Sequence, residues 1–312
     1  MTKSTTRVAA DLETFTQTEI TAKDVVAKAG RRNLIINGGF DVWQRGESHS
    51  AIGYGSDRWH TSSPSSISLV KEADSLHGNV AALTISNTDT NYVQAIENLS
   101  GLFLSKEVTL SFWVKSDTIT SSKIQAYNGA AFTLEIGYDI TSSWTKVSKT
   151  FNTGSSYTAG TVFRLYVLRT SNTTGTVRFA NVQLELGSVA TDFEHRLYGE
   201  ELALCRRYYQ RFGGAAYIGL ATGVQGSTTT SKFTFVHPVQ MRATPLIGFY
   251  NIIVTNRTSF DTDVTSVGGS VAGAASSYIS VSHGACGSAD NAILLVVKNG
   301  TIGDLSFDAE IY

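Results

Sequence analysis

From Asn33 to about Glu194 the apolar and polar positions alternate in short runs, the period of a half-buried β-strand. The run Val108-Thr109-Leu110-Ser111-Phe112-Trp113-Val114-Lys115 is the clearest, with Val108, Leu110, Phe112 and Val114 on one face. The same pattern predicts strands over 66–72, 80–86, 92–97, 107–115, 123–127, 145–151, 162–169 and 176–186. Turn pairs punctuate them: Asn128-Gly129, Thr153-Gly154 and Thr174-Gly175. Many short strands at such spacing predict a jelly roll or β-sandwich. No fixed-period repeat argues for a solenoid.

The pattern changes three times. Within residues 1–32, Val8, Leu12 and Phe15 recur at helical spacing until Gly30, which predicts a short helical arm or docking segment. It is too short to fold by itself. Within 198–214, Leu202, Cys205, Tyr209 and Phe212 follow a 3-4-3 spacing that predicts one helix with an apolar seam, ended by Gly213-Gly214. Two heptads need a partner, and self-association through these four residues is the reading preferred here. From 215 to 312 the β pattern returns, with strands predicted over 233–236, 246–254, 277–282, 293–298 and the alternating end 307–312. The run 292–297 is continuously apolar and reads as a central, doubly buried strand. The Gly/Ala/Ser-rich stretch 267–277 reads as a loop. The layout is therefore all-β: an arm (1–32), a lectin-like sandwich (33–197), a connecting oligomerisation helix (198–214) and a small C-terminal β domain (215–312).

Composition agrees with this. Charged residues are 16% of the 312, below the roughly 25% of an average soluble domain. Ser, Thr, Asn and Gly fill the gap, which suits strands and turns better than helices. The formal net charge of −1 offers no footprint for nucleic acid or an anionic membrane. No apolar stretch approaches the ~20 residues of a membrane span, and the first fifteen residues lack the apolar core of a secretory signal. The two cysteines, Cys205 and Cys286, fall in different predicted domains without metal-ligand company and read as buried thiols.

Two stretches resemble the start and end of a domain common in phage tail-fibre and virion-appendage proteins. The first is Asn33-Leu34-Ile35-Ile36-Asn37-Gly38-Gly39-Phe40-Asp41-Val42-Trp43-Gln44-Arg45-Gly46 with Ser56-Asp57-Arg58-Trp59. The second is Val177–Ser188 with Ala190–Arg196, followed by Glu200–Tyr209. The resemblance brackets 33–212. It implies a virion structural protein made in the host cytoplasm without a signal peptide, assembled as a homo-oligomer, most readily a homotrimer. Other virion proteins would dock on 1–32, and a host-surface glycan would be bound. A capsid-surface fibre, or a stand-alone glycan-binding module or accessory of a lytic enzyme, is the alternative. The end strands also look like those of carbohydrate-binding-module sandwiches, where a calcium ion can sit between them. Here Asp41 and Asn181 would contribute to it. Calcium wants six to eight oxygens, and Asn181 stands where many such modules carry aspartate.

Catalytic signals are absent from the sequence. The six histidines show no ligand spacing, and there is no nucleophile elbow, phosphate loop or dinucleotide fingerprint. Glu72, Asp74, Asp89, Glu97, Asp117, Glu135 and Asp139 read as solvated carboxylates rather than a glycosidase pair. The expectation is a non-enzyme without a cofactor, apart from the calcium just discussed. Sugars are held by aromatic faces with polar groups on their hydroxyls. Tyr54, Tyr92, Tyr127, Tyr157 and Trp144, with Asn91, Asn128 and Arg169, are the candidate glycan contacts. Trp43, Trp59 and Trp113 read as core, and Asp57 as a partner of Arg45.

Overall fold

The computed structural model describes residues 32–62, 67–98, 101–155, 161–256, 261–285, 292–299 and 302–311. The predicted arm and Cys286 lie outside them, as does Tyr157.

The N-terminal body is the expected sandwich. Its strands are β1 (Ser48–His49), β2 (Gly53–Tyr54), β3 (Trp59–Ser62), β4 (Ile67–Asp74), β5 (Gly78–Asn98), β6 (Glu107–Ser116), β7 (Ser121–Tyr127), β8 (Phe132–Asp139), β9 (Thr145–Asn152) and β10 (Thr161–Leu186). β5 and β10 have 21 and 26 residues. At roughly 3.3 Å per residue a straight β5 would reach about 70 Å, too long for one layer. Both strands bend, and β10 slips register against β5 between Tyr166 and Leu168 and twice between Thr170 and Gly175. One half of the β5–β10 pair joins β1, β4, β6 and β9; the other half joins β2, β3, β7 and β8. A single curled ten-stranded sheet thus supplies both layers.

Between the layers lies one large core. Val108, Leu110, Phe112 and Val114 all point into it, as their alternation predicts. Phe40, Trp59, Tyr92 and Phe179 form a ring ladder with centroids 4.9–5.8 Å apart along Phe40–Trp59–Tyr92–Phe179. Trp43 and Trp59 are core, as expected, but Trp113 is half-buried because it points outward from β6.

The predicted 198–214 helix is corrected. Helix α1 spans only Tyr198–Arg206, and Tyr209–Gly213 is a strand, β11. β11 pairs with β19 (Asp304–Asp308), which pairs with β14 (Leu246–Tyr250) in a three-stranded sheet. Tyr209 and Phe212 therefore do not continue a helical seam. Phe212 packs on Phe235 and Phe307 at 6.0 and 5.9 Å, and Cys205 is buried on α1, while Leu202 is half-buried. A Phe212 that finds a sheet partner loses nothing by leaving the helix, so tertiary pairing overrides helical spacing.

The C-terminal body adds a closed barrel, in the order β12 (Gly219–Ser227), β13 (Thr230–Val236), β17 (Ser276–His283), β16 (Asp261–Ala272), β15 (Ile252–Thr255) and β18 (Ala292–Val297). The stretch 267–277, predicted as a loop, is mostly strand: β16 pairs with β17 through Ala272↔Ser277. Small residues are tolerated there because the register shifts at Gly269/Val271, a bulge suited to glycine. β18 is not buried on both faces throughout, since Ala292 is exposed and Leu294 half-buried while Leu295–Val297 are buried. The strands β1, β2, β3, β8, β12 and β16 lay outside the sequence prediction.

Candidate functional site

The two bracketing motifs turn out to hold the sandwich shut. Asn33 Nδ2 donates to the Val182 carbonyl at 3.1 Å, and its Oδ1 accepts from the Leu184 amide at 3.2 Å. Asn37, with a left-handed φ of 57°, donates from Nδ2 to the carbonyls of Val42 and Asp57. Its own amide donates to Glu201 on α1 at 2.7 Å, and Glu201 in turn pairs with Arg196 at 3.2 Å. Asp57 bonds Arg45 at 3.2 Å, the pairing expected from sequence. Buried polar groups this well partnered are structural.

A different surface gathers recognition chemistry: the outward face of β10, β7 and β8. Tyr127 on β7, Phe132 on β8 and Tyr166 on β10 form a contiguous aromatic row, Tyr127–Phe132 at 5.2 Å and Phe132–Tyr166 at 5.5 Å. Phe132 is 46% exposed, and Tyr127 and Tyr166 are half-buried. The Arg169 guanidinium lies 4.9 Å from the Phe132 ring centre and Arg164 5.6 Å from that of Tyr127. Arg169 donates to Gln125 Oε1 at 2.8 Å, while Gln125 Nε2 and Lys123 Nζ both donate to Glu135. Fixed guanidinium, amide and carboxylate groups beside flat rings are what binds polyhydroxylated ligands.

Two bulges build this face. β10 carries one extra residue between Tyr166 and Leu168, so Arg164, Tyr166 and Arg169 all point outward although their numbers differ in parity. β8 carries another between the Tyr127↔Phe132 and Ala126↔Leu134 pairs, which turns Phe132 to the same side as Glu135. Bulges often re-aim side chains beside binding sites.

A polar recess of about 960 Å³ adjoins the row, reached across Arg169 and Gln125 and floored by β7, β8 and β9. A smaller cavity of about 140 Å³ lies at the other end of the face, between His60, Val93, Arg164, Tyr166 and Ile311. Burial, aided by the Arg164 charge, holds the His60 imidazole pKa below its ordinary value.

The candidate contacts divide accordingly. Tyr127 and Arg169 are on the row. Asn91 is on the same outward face of β5 and donates to Ser62 Oγ at 3.0 Å. Tyr54 is buried at the far end, its hydroxyl donating to the Ile311 carbonyl at 2.6 Å. Tyr92 is not available to a ligand, being wholly enclosed in the ring ladder with its hydroxyl bonded to Ser56. Asn128 is engaged in its own turn, accepting from the Ala130 and Ala131 amides. Trp144 lies elsewhere, where its indole donates to Asp74 Oδ2 at 2.9 Å, Lys115 sits 4.5 Å over its ring and His77 meets it edge-on at 4.8 Å. Phe132, Tyr166, Arg164 and Gln125 were missed; their signal, the Gln-x-Tyr and Arg-x-Tyr alternation at 125–127 and 164–166, is legible only once the bulges are known.

Several of the surveyed carboxylates form ion pairs: Glu72 with Arg178 at 2.7 Å, Asp74 with Lys115 at 3.5 Å, and Glu97 with Arg207 at 3.0 Å. Asp41 and Asn181, expected as calcium ligands, each meet a neighbouring side chain, and the Asn181 Oδ1 is buried without a hydrogen-bond partner. Asp41 Oδ1 accepts from Asn79 at 2.7 Å, Asn181 Nδ2 contacts His77 Nδ1, and among the described residues no three His, Cys, Asp or Glu side chains gather into a metal site. Burial pushes the Cys205 thiol well above its ordinary pKa, as for an unreactive interior cysteine.

Residues 32–172 match the family model of a carbohydrate binding domain. The match covers the aromatic row and stops within β10, whereas the sandwich continues to Leu186. No curated protein matches the chain. Among solved structures, a family 4 carbohydrate-binding module is 17% identical over 48% of this chain and 98% of its own, with a TM-score of 0.35. The family 11 module of the cellulosomal cellulase Lic26A-Cel5E of Clostridium thermocellum is 13% identical over 46% of this chain and 97% of its own, TM-score 0.33. The enzymatically active domain of tailspike protein 4 of bacteriophage CBA120 is 16% identical over 50% of this chain, TM-score 0.37. The chain spans about a fifth of that tailspike's length (21%).

Proposed function

We propose that the chain is a non-catalytic glycan-binding protein of a phage tail fibre or related virion appendage. The observation that carries glycan binding is the Tyr127–Phe132–Tyr166 row with its two guanidinium groups, exposed on a sandwich whose residues 32–172 match a carbohydrate binding domain. A sugar ring would lie on Phe132 and Tyr166, and Arg169 and Asn91 would bond its hydroxyls, with the buried Gln125 holding the Arg169 guanidinium in place. The reading is tested by affinity electrophoresis of the full chain against a panel of bacterial surface polysaccharides. Retardation that Phe132→Ala abolishes supports it; no retardation by any polysaccharide overturns it.

The appendage role is supported by the motifs at 33–59 and 177–209, which knit the sandwich to α1. In this reading the chain sits in the particle as a homotrimer, docks through 1–32 and meets a host glycan with the β7–β8–β10 face. The 202–212 residues are largely spent on internal packing. Exposed apolar side chains for self-association lie instead on the C-terminal body at Val236, Leu246, Tyr250 and Ile302. Sedimentation of a clean monomer at micromolar concentration, with no labelled chain on intact particles, would refute this assignment.

A further inference from the structure

The recess beside the aromatic row differs in charge from the chain as a whole. The full sequence carries 25 basic and 26 acidic side chains. The recess is lined by Lys123, Lys146, Lys149 and Arg169 against only Glu135 and Asp139. Glu135 is already engaged by Lys123 and Gln125 at 2.5 Å each. That leaves Lys146 and Lys149, on opposite faces of the edge strand β9, and Arg169 from β10 lining a recess of about 960 Å³ with one further carboxylate. Arg169 is common to both features, walling the recess while its guanidinium lies 4.9 Å from the centre of the Phe132 ring.

Resting on the glycan-binding reading, we propose that the site selects acidic polysaccharides, whose uronate or other sugar-ring carboxylates enter the recess while a neighbouring ring stacks on Phe132. A cavity with an excess of one sign of charge concentrates ligands of the other sign and discriminates against neutral analogues that cannot repay the lysines' and arginine's desolvation. The planar guanidinium of Arg169 suits a carboxylate, and the two β9 lysines add mobile point charges along the recess. A neutral glycan would still stack on the row but leave the recess to water.

The test uses the full chain and matched pairs of polysaccharides: polygalacturonate with its methyl ester, and hyaluronate and polysialic acid with their carboxyl-reduced forms. Isothermal titration at low ionic strength is expected to show at least tenfold tighter binding of the acid member of any pair that binds. The preference should shrink in 0.3 M salt, where the screening length falls to several ångströms. Lys146→Gln/Lys149→Gln, which leaves Arg169 in place, should cut the preference for the acid form at least threefold without weakening the neutral one. Lys232→Gln/Lys298→Gln, the same change of net charge on the barrel, should alter neither. Phe132→Ala should weaken both members alike. Equal or tighter binding of the neutral members, with Phe132→Ala still weakening it, overturns the acidic preference and leaves glycan binding standing. Polyphosphate of similar charge density binding as tightly as the acid glycans overturns it too, since that is charge attraction without sugar recognition. Failure of every polysaccharide, with no effect of Phe132→Ala, removes both readings.

Discussion

Arg58 and Glu310, 252 residues apart in sequence, form an ion pair with side-chain exposures of 1% and 0%. Arg58 also donates to the Ala95 carbonyl, and its guanidinium stacks 3.4 Å over the Tyr208 ring. Beside it Arg45 bonds Asp57, Asp308 and Glu310 at 3.2–3.4 Å and stacks 3.6 Å over Tyr209. The first motif of the sandwich is thus bolted to the last strand of the C-terminal body. The tail so fixed places Ile311 against the glycan-facing side of β3 and β5.

Removing one charge from this seam strands the other in the interior. Glu310→Gln is expected to destabilise the chain by about 3–5 kcal/mol, the usual cost of an unpaired buried charge. Arg58→Met/Glu310→Met removes both charges and should recover most of that loss. Denaturant unfolding of the three proteins checks it; a double variant as unstable as the single one would show that packing, not charge, holds the seam.

On the glycan face, Phe132→Ala and Tyr166→Ala should each weaken saccharide binding about 5- to 20-fold, or roughly 1–2 kcal/mol. Phe132 is half-exposed, so its variant should unfold at nearly the wild-type temperature. Trp144→Ala should leave affinity unchanged, because Trp144 is not on this face. Titration calorimetry with thermal melts separates these effects, and a Trp144→Ala loss comparable to that of Phe132→Ala would move the site.

The sandwich was legible because its core strands keep strict alternation, Val108 to Val114 above all. The binding face was not, because it depends on two bulges. One extra residue at 167 puts Tyr166 and Arg169 on the same side, and one at 133 does so for Phe132 and Glu135. A period-two reading assigns such residues to opposite faces. Tyr92 misled for the converse reason, since a tyrosine amid Asn and Thr reads as exposed until Trp59 and Phe40 close over it. Tyr209 and Phe212 kept helical spacing by coincidence, and only the distant β19 turns them into a strand.

Trp144 is a structural reporter. Burial alone would raise the Asp74 pKa, but bonds from the Trp144 indole and the Leu76 and His77 amides, with Lys115 nearby, bring it down to about 2. The lowered pKa means this stabilisation is present above the unfolded value near 4 and is lost as pH falls toward 2. Trp144→Phe, which removes one donor, should cost about 1 kcal/mol at pH 7 and less at pH 2. Equal losses at the two values would sink the assignment.

Asp57 behaves in the opposite sense. Burial dominates over its bonds to Arg45 and the Gln44 amide and pushes its pKa up to about 6. A carboxyl raised in the folded state holds its proton there when the unfolded chain has already released it. The seam therefore loses stability as pH rises from about 4 to about 6 and changes little beyond, with an amplitude on the order of 3 kcal/mol. Asp57→Asn cannot titrate, keeps an oxygen for the Gln44 amide and leaves Arg45 with Asp308 and Glu310. Its stability relative to the wild type should accordingly improve across that window, whatever other groups titrate in both proteins. Chemical denaturation at half-unit steps from pH 4 to 7 measures the difference directly. A wild-type-minus-variant difference that stays flat would mean Asp57 remains ionised throughout, held by Arg45 against the cost of burial.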